Sequence, residues 1–183
     1  MSTTVNIEIG DLLLAEPFMK DPLFKRTVVL VCDHSNDGTF GLALNRRSEF
    51  KLNEVIDFPE FDAFVYHGGP VNPDTLHFIH KYGDLIEGAK PLRGDISWSG
   101  NFDQVKMLAE QKLISPSGIR FFVGYSGWGA GQLAAEMQEN SWIVAKNFER
   151  VLTNDHELWK RVLHTLGGEY PLMANFPEDP ILN

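Results

Sequence analysis

One segment constrains the fold more than any other. Residues 27–32 read Thr-Val-Val-Leu-Val-Cys, a run of β-branched and apolar residues in which polar side chains do not alternate with apolar ones. β-branched residues favour strands, and a strand without polar alternation needs cover on both faces. The run therefore predicts a central strand packed from two sides. With 183 residues, the chain is long enough to supply both layers within one domain.

Similar short apolar runs recur elsewhere, separated by Gly, Pro, Asn and Asp. This pattern is typical of strands joined by tight turns. Asn36-Asp37-Gly38 predicts a hairpin turn directly after the central strand. The other predicted strands are Leu12 to Ala15, Phe40 to Leu44, Ala63 to Tyr66, Leu76 to Ile79 and Ile119 to Tyr125.

Two amphipathic helices are predicted in the second half. Asn101 can cap the first, with Gln104 returning the hydrogen bond, and Asn154 with Glu157 can begin the second in the same way. Gly167-Gly168 is typical of a helix end. The first helix has one apolar stripe, formed by Phe102, Val105, Leu108, Ala109 and Leu113. The second is expected to bury Leu158, Trp159, Val162, Leu163 and Leu166.

Charge and cysteine content narrow the classes of function. The 16 Lys and Arg against 25 Asp and Glu give a net charge of −9, which opposes direct nucleic-acid binding. Two basic pairs, Lys25-Arg26 and Arg46-Arg47, could still meet in space. Cys32 is the single cysteine, so no intramolecular disulfide is possible and a reducing, cytoplasmic location is expected. The sequence shows no signal region or membrane-length apolar run, so no membrane association is expected.

The densest local motif is Gly-Tyr-Ser-Gly-Trp-Gly-Ala-Gly-Gln-Leu at residues 124–133. It predicts a glycine-rich turn after the strand and a short helix from about Ala130 to Glu139. The glycines could instead only make room for packing around Trp128. If the turn is open, its amides and the helix start could hold an anion. The candidate ligand-binding residues are then Gly127, Trp128, Gly129, Gln132 and Glu136, with Asn45 and Arg46 as neighbours.

The same motif raises an alternative, hydrolysis with Ser126 as the nucleophile. In a nucleophile elbow the serine lies between two glycines, but Trp128 occupies the second glycine position. A serine nucleophile also needs an oriented histidine, and no spacing identifies one among the six histidines. His77 and His80 would point to opposite faces of a strand, so no metal site is expected. No cofactor is implied.

Several blocks together resemble the YqgE/AlgH family of bacterial proteins. They occur in the family's order and span nearly the whole chain. The blocks are residues 10–17 with Met19 and residues 21–24, then residues 26–30, 41–46, 68–71, 124–133 and 175–177. Members resembling this chain typically carry alanine where it has Ser126.

The resemblance implies an α+β fold in one domain spanning residues 1–183. Its mixed, mostly antiparallel sheet is expected to curl into a split, barrel-like arrangement, with three to four helices packed on it. The family is largely uncharacterised, so no enzymatic activity follows from the resemblance. Some members carry the label of transcriptional regulators.

The leading hypothesis is a non-enzymatic binding or regulatory protein that acts through the Gly-Trp-Gly turn. Its partner would be a small anionic ligand or another protein, and the chain itself would be a monomer or a weak homo-oligomer. The alternatives are a hydrolase that uses Ser126 and a transcription-related regulator without direct high-affinity DNA binding.

Overall fold

The computed structural model describes residues 6–146, 148–153 and 156–178. Its ten strands are β1 Leu12–Ala15, β2 Val28–Ser35, β3 Gly38–Ala43, β4 Arg47–Lys51, β5 Phe64–His67, β6 Val71–His80, β7 Lys90–Arg93, β8 Ile96–Trp98, β9 Ile119–Gly129 and β10 Trp142–Ala145. The helices are α1 Leu52–Val55, α2 Phe102–Glu110, α3 Gln132–Gln138, α4 Leu158–Leu166 and α5 Tyr170–Met173, and a 3-10 turn covers Pro116–Gly118.

The strands form one open, mixed sheet in the order β10-β1-β2-β3-β9-β6-β8-β7, and β4 and β5 lie off this path. Pairing is antiparallel throughout the described strands except between β5 and β9, which run parallel. The predicted α+β fold with a split, mostly antiparallel sheet is confirmed. Three of the five helices are longer than one turn.

The longest strand, β9, joins the two halves of the sheet. It pairs with β3 near its end and with β5 and β6 nearer its start. This crossing brings backbones very close, because a Cβ on Gly69 would lie 2.2 Å from the Tyr125 carbonyl carbon. Gly124 has φ +67°, and a Cβ there would lie 2.5 Å from the Gly69 carbonyl oxygen. Glycine is required at both positions.

The central strand behaves as its sequence predicts. Val28, Leu30 and Cys32 lie in one apolar cluster, together with the buried face of α4. Val29 and Val31 point the other way, into a second cluster beneath α3. A third cluster packs under α2. Each of the three longer helices therefore covers its own part of the sheet.

The helix predictions hold with exceptions. Asn101 caps α2 by accepting from the Gln104 amide, but the Gln104 side chain accepts from the Glu87 amide instead of returning the bond. Leu113 was expected on the buried stripe and is 59% exposed, because the helix already ends at Glu110. Gly167 ends α4 as predicted. The predicted cap Asn154 lies outside the described residues.

The glycine-rich segment is the main correction to the predicted elements. A turn was expected after Tyr125, but β9 continues to Gly129 in register with β3, and the turn falls at residues 130–131. No helix within the described residues is long and apolar enough to cross a membrane.

Candidate functional site

A cavity of about 400 Å³ opens between the β1–β2 connection, the β3–β4 connection and the start of α4. Its lining is mostly charged. The lining residues are Pro22, Lys25, Arg26, Asn45, Arg46, His156, Glu157, Trp159, Lys160 and Glu178. It therefore contains Asn45 and Arg46 from the predicted site, and no residue between 127 and 136. We refer to it as the cationic pocket.

Arg26 lies against the floor of the cationic pocket. Its guanidinium carbon is 4.9 Å from the ring centroid of Trp159, which is 2% exposed and donates from Nε1 to the Ala15 carbonyl at 2.8 Å. The Arg26 backbone has φ +53°, a left-handed conformation that is unusual for a residue with a side chain. Strain of this kind persists only where the surroundings enforce it.

Asn45 holds the Arg26 backbone in this conformation. Its Nδ2 donates to the Arg26 carbonyl at 2.8 Å, and its Oδ1 accepts from the Val28 amide at 3.0 Å. One side chain thus bridges the backbone on both sides of Thr27 and holds the bend. Because both ends of its amide are bonded to backbone, Asn45 holds the segment that carries Arg26.

Arg46 is also held by hydrogen bonds, but one of its nitrogens, Nη1, is not used in them. Its Nε and Nη2 donate to Thr27 Oγ1 at 3.0 and 2.8 Å, and Nη2 also donates to the Lys25 carbonyl. Its Nη1 has no acceptor among the described residues. Burial lowers the pKa of Arg46, and the Glu178 carboxylate opposes that shift. A partly desolvated cation gains most from an anion placed beside it.

The charge balance of the cationic pocket opposes that of the whole chain. Two ion pairs neutralise part of its positive charge. Lys160 Nζ lies 3.2 Å from a Glu157 oxygen, and Arg26 Nε lies 3.8 Å from Glu178 Oε1. Lys25 is half-buried and has no ion pair within the described residues. Four permanent cations line the cavity with two carboxylates: Lys25, Arg26, Arg46 and Lys160, against Glu157 and Glu178. A protein of net charge −9 therefore carries a cavity with excess positive charge.

The basic pairs seen in the sequence contribute three of these four cations. Lys25, Arg26 and Arg46 converge because the β1–β2 and β3–β4 connections meet at the same edge of the sheet. Arg47 leaves in the opposite direction, and its guanidinium lies over the Phe64 ring at 4.5 Å. The fourth cation, Lys160, is brought to the cavity by the packing of α4.

The Gly-Trp-Gly segment lies elsewhere and has internal partners. Trp128 is 6% exposed, and its Nε1 donates to Glu136 Oε2 at 2.9 Å. Glu136 Oε2 also accepts from Trp142 Nε1 at 2.7 Å. Gln132 bridges this arrangement, because it accepts from the Gly129 amide at 3.0 Å and donates to Glu136 Oε1 at 3.1 Å. Gly127 and Gly129 are exposed but belong to a paired strand.

This indole–carboxylate cluster contacts the loop that carries the pocket cations. The Trp142 ring packs edge-on against Trp128 at 5.6 Å and against Phe24 at 5.5 Å. Phe24 directly precedes Lys25 in the β1–β2 connection. The cluster therefore packs against this loop through the contact between Trp142 and Phe24.

Ser126 lacks the environment of a nucleophile. Its side chain is fully buried, and its Oγ donates to the Gly68 carbonyl at 3.0 Å. Within the described residues no histidine is hydrogen-bonded to it. Since a serine nucleophile transfers its proton to an oriented base, this geometry gives no support to the hydrolase alternative.

The remaining reactive residues are also committed to structure. Cys32 is buried, and burial raises the pKa of its thiol. His80 is fully buried, with Nε2 bonded to the Ser99 carbonyl at 2.8 Å and Nδ1 accepting from the Tyr82 amide at 3.1 Å. Among the described residues, no three His, Cys, Asp or Glu side chains are grouped so as to hold a metal.

The chain is similar to known proteins over most of its length. A family model described as AlgH-like matches residues 12–171. A UPF0301 protein of Chlorobium limicola is 46% identical over 177 residues, which cover 95% of both chains.

Two solved structures have the same fold. A Corynebacterium diphtheriae protein superposes with a TM-score of 0.78 at 27% identity, over 94% of both chains. The AlgH protein of Pseudomonas aeruginosa gives 0.72 at 28% identity, over 97% of this chain and 98% of its own. The names of these three relatives state no ligand, partner or reaction.

Proposed function

The chain belongs to the AlgH-like family, and we propose that it is a non-enzymatic binding protein that takes a small anion into the cationic pocket. One observation carries the proposal. Lys25, Arg26 and Arg46 converge on one cavity, with Lys25 lacking an ion pair within the described chain and Arg46 keeping Nη1 free of acceptors there. Guanidinium groups are the preferred partners of phosphate and carboxylate.

The residues first singled out around the Gly-Trp-Gly segment take a supporting part in this proposal. Glu136 joins Trp128 to Trp142, and Trp142 supports Phe24 in the loop before Lys25. We expect this cluster to hold the loop in place without touching the ligand. Asn45 acts in a similar way, because it fixes the backbone on which Arg26 is carried.

A regulatory role fits this binding activity better than direct contact with DNA. A net charge of −9 repels a polyanion at long range, whereas a small anion can enter a local positive cavity. Regulation would then pass through the bound ligand or a protein partner. We expect a cytoplasmic location, in keeping with the single buried Cys32.

Titration with inorganic phosphate by isothermal calorimetry or amide NMR tests the proposal. We expect binding that weakens as salt rises and that falls about tenfold in Lys25→Met, which removes one charge and keeps the apolar stem. Lys20→Met is the matched control, because Lys20 is exposed in the same loop and does not line the cavity. Equal loss in both variants, or no binding to the native chain at low salt, would contradict the proposal.

A further inference from the structure

Glu178 lines the cationic pocket, and both Phe176 and Glu178 contact Arg26. Arg26 Nη2 donates to the Phe176 carbonyl, and Arg26 Nε lies 3.8 Å from Glu178 Oε1. The electrostatic influence of Glu178 extends to Arg46 as well. A carboxylate of the chain therefore lies beside the Arg26 guanidinium and acts electrostatically on Arg46, where an anionic ligand would bind.

An aromatic contact accompanies this carboxylate. The Phe176 ring stacks on Phe18 with centroids 5.4 Å apart and 28° between the ring planes. Both rings remain open to solvent, with Phe18 58% and Phe176 37% exposed. Leu23, next to the pocket-lining Pro22, is 59% exposed. Exposed apolar side chains therefore lie on the two segments that contribute Arg26 and Glu178 to the cationic pocket.

Two of the contacts that hold residues 176–178 in place are weak, and a third is the hydrogen bond from Arg26 to the Phe176 carbonyl. The side chain of Glu178 is 68% exposed, and solvent-exposed ion pairs contribute little to stability. Stacking between two exposed rings is similarly modest. A ligand that offers a better-placed anion and a ring of its own can therefore replace both contacts at once.

We infer that the pocket's ligand is a small aromatic anion, whose charged group replaces the Glu178 carboxylate at Arg26 and Arg46 while its ring replaces Phe176 on Phe18. This inference rests on the proposed function and specifies the ligand class. Residues 176–178 act as an internal competitor that the ligand displaces. A simple inorganic anion would displace only the carboxylate and leave the Phe18 contact unused.

The test compares phenyl phosphate with methyl phosphate by calorimetry, because the two esters carry the same charge and differ in the ring. We expect the native chain to bind phenyl phosphate about five- to tenfold more tightly. Phe18→Ala removes this preference, and methyl phosphate binds the variant at least as tightly as it binds the native chain, because the stacking contact that holds Phe176 is lost. Phe50→Ala is the matched control, since Phe50 is equally exposed at 58% on β4 and, among the described residues, has no ring contact with Phe176.

A second variant tests the competition. Glu178→Gln keeps the shape of the side chain and removes its charge, so we expect both esters to bind several-fold more tightly. Equal affinity of the native chain for the two esters, or unchanged affinity in Glu178→Gln, overturns the inference and leaves the anion pocket standing. Failure of both esters and of inorganic phosphate to bind either protein removes the proposed function itself.

Discussion

Replacement of Trp128 by phenylalanine separates a supporting role of this side chain from a ligand contact. Trp128 is almost fully buried and donates to Glu136 Oε2 at 2.9 Å. Phenylalanine keeps an aromatic ring in the same cluster and removes the N–H donor. Glu136 keeps its bonds from Trp142 and Gln132, so the change is confined to one hydrogen bond and part of one ring.

The magnitude follows from these two losses. A hydrogen bond to a charged acceptor contributes about 1.5–3 kcal/mol, and the smaller ring leaves a cavity costing about 1 kcal/mol more. We expect Trp128→Phe to lower the free energy of unfolding by about 2–4 kcal/mol. In a chain of 183 residues each kcal/mol lowers Tm by about 2–4 °C. Trp128→Ala would cost about 3–5 kcal/mol or more, which approaches the whole stability of some domains.

Urea unfolding followed by circular dichroism measures this loss, with phosphate titration of the same folded sample. Trp98→Phe is the matched control, because the Trp98 Nε1 is buried without a hydrogen-bond partner among the described residues. That variant loses a similar part of a ring but no hydrogen bond, so we expect about 1 kcal/mol or less. Phosphate affinity should stay within twofold of the native value in both variants.

The opposite pattern would refute this reasoning. If Trp128→Phe kept native stability but lost phosphate binding, the indole would be a ligand contact and the site would return to the Gly-Trp-Gly segment. If Trp98→Phe lost as much stability as Trp128→Phe, the bond to Glu136 would contribute nothing measurable.

Two further predictions concern buried charge. Burial lowers the pKa of His80 more than its Ser99 bond raises it, so the unfolded chain takes up a proton first as pH falls below about 6.5. Stability should therefore fall on acidification, and urea midpoints between pH 7.5 and 5 should fall less in His80→Gln, where an equal fall would contradict the assignment. Asp11 is fully buried and accepts from Arg93 at 2.8 Å and from Lys146 at 3.0 Å. Asp11→Asn should cost about 2–3 kcal/mol of unfolding free energy, and the exposed-pair control Asp95→Asn about 0.5 kcal/mol; equal costs would refute the role of burial.

Much of the fold followed from local patterns. The unbroken run at residues 27–32 required cover on both faces, and the structure places its side chains in two separate clusters. Periodic apolar residues marked α2 and α4 because each helix covers one stripe of the sheet. The end of β9 was missed, since glycines favour turns by their conformational freedom and only pairing with β3 keeps residues 126–129 extended.

The candidate site followed the sequence less closely. Asn45 and Arg46 were named from their position at a strand end, and both line the cationic pocket. Lys25-Arg26 and Arg46-Arg47 were visible as basic pairs that could meet in space, but nothing local showed that Arg46 and not Arg47 would join Lys25 and Arg26. Glu178 belongs to no recognisable motif. It lies at the pocket only because the folded chain places it beside Arg26, which is distant in sequence.

By itself, the sequence determined the central strand, a sheet with amphipathic helices against it and the negative overall charge, because burial periodicity and composition are local properties. Tertiary structure alone decided where charge collects and which polar groups stay available. The order of the strands brings Arg26 and Arg46 together. Trp128, in contrast, is buried and donates a hydrogen bond to Glu136. The physical reason is that electrostatic and hydrogen-bonding partners are chosen by distance in space, which sequence separation does not encode.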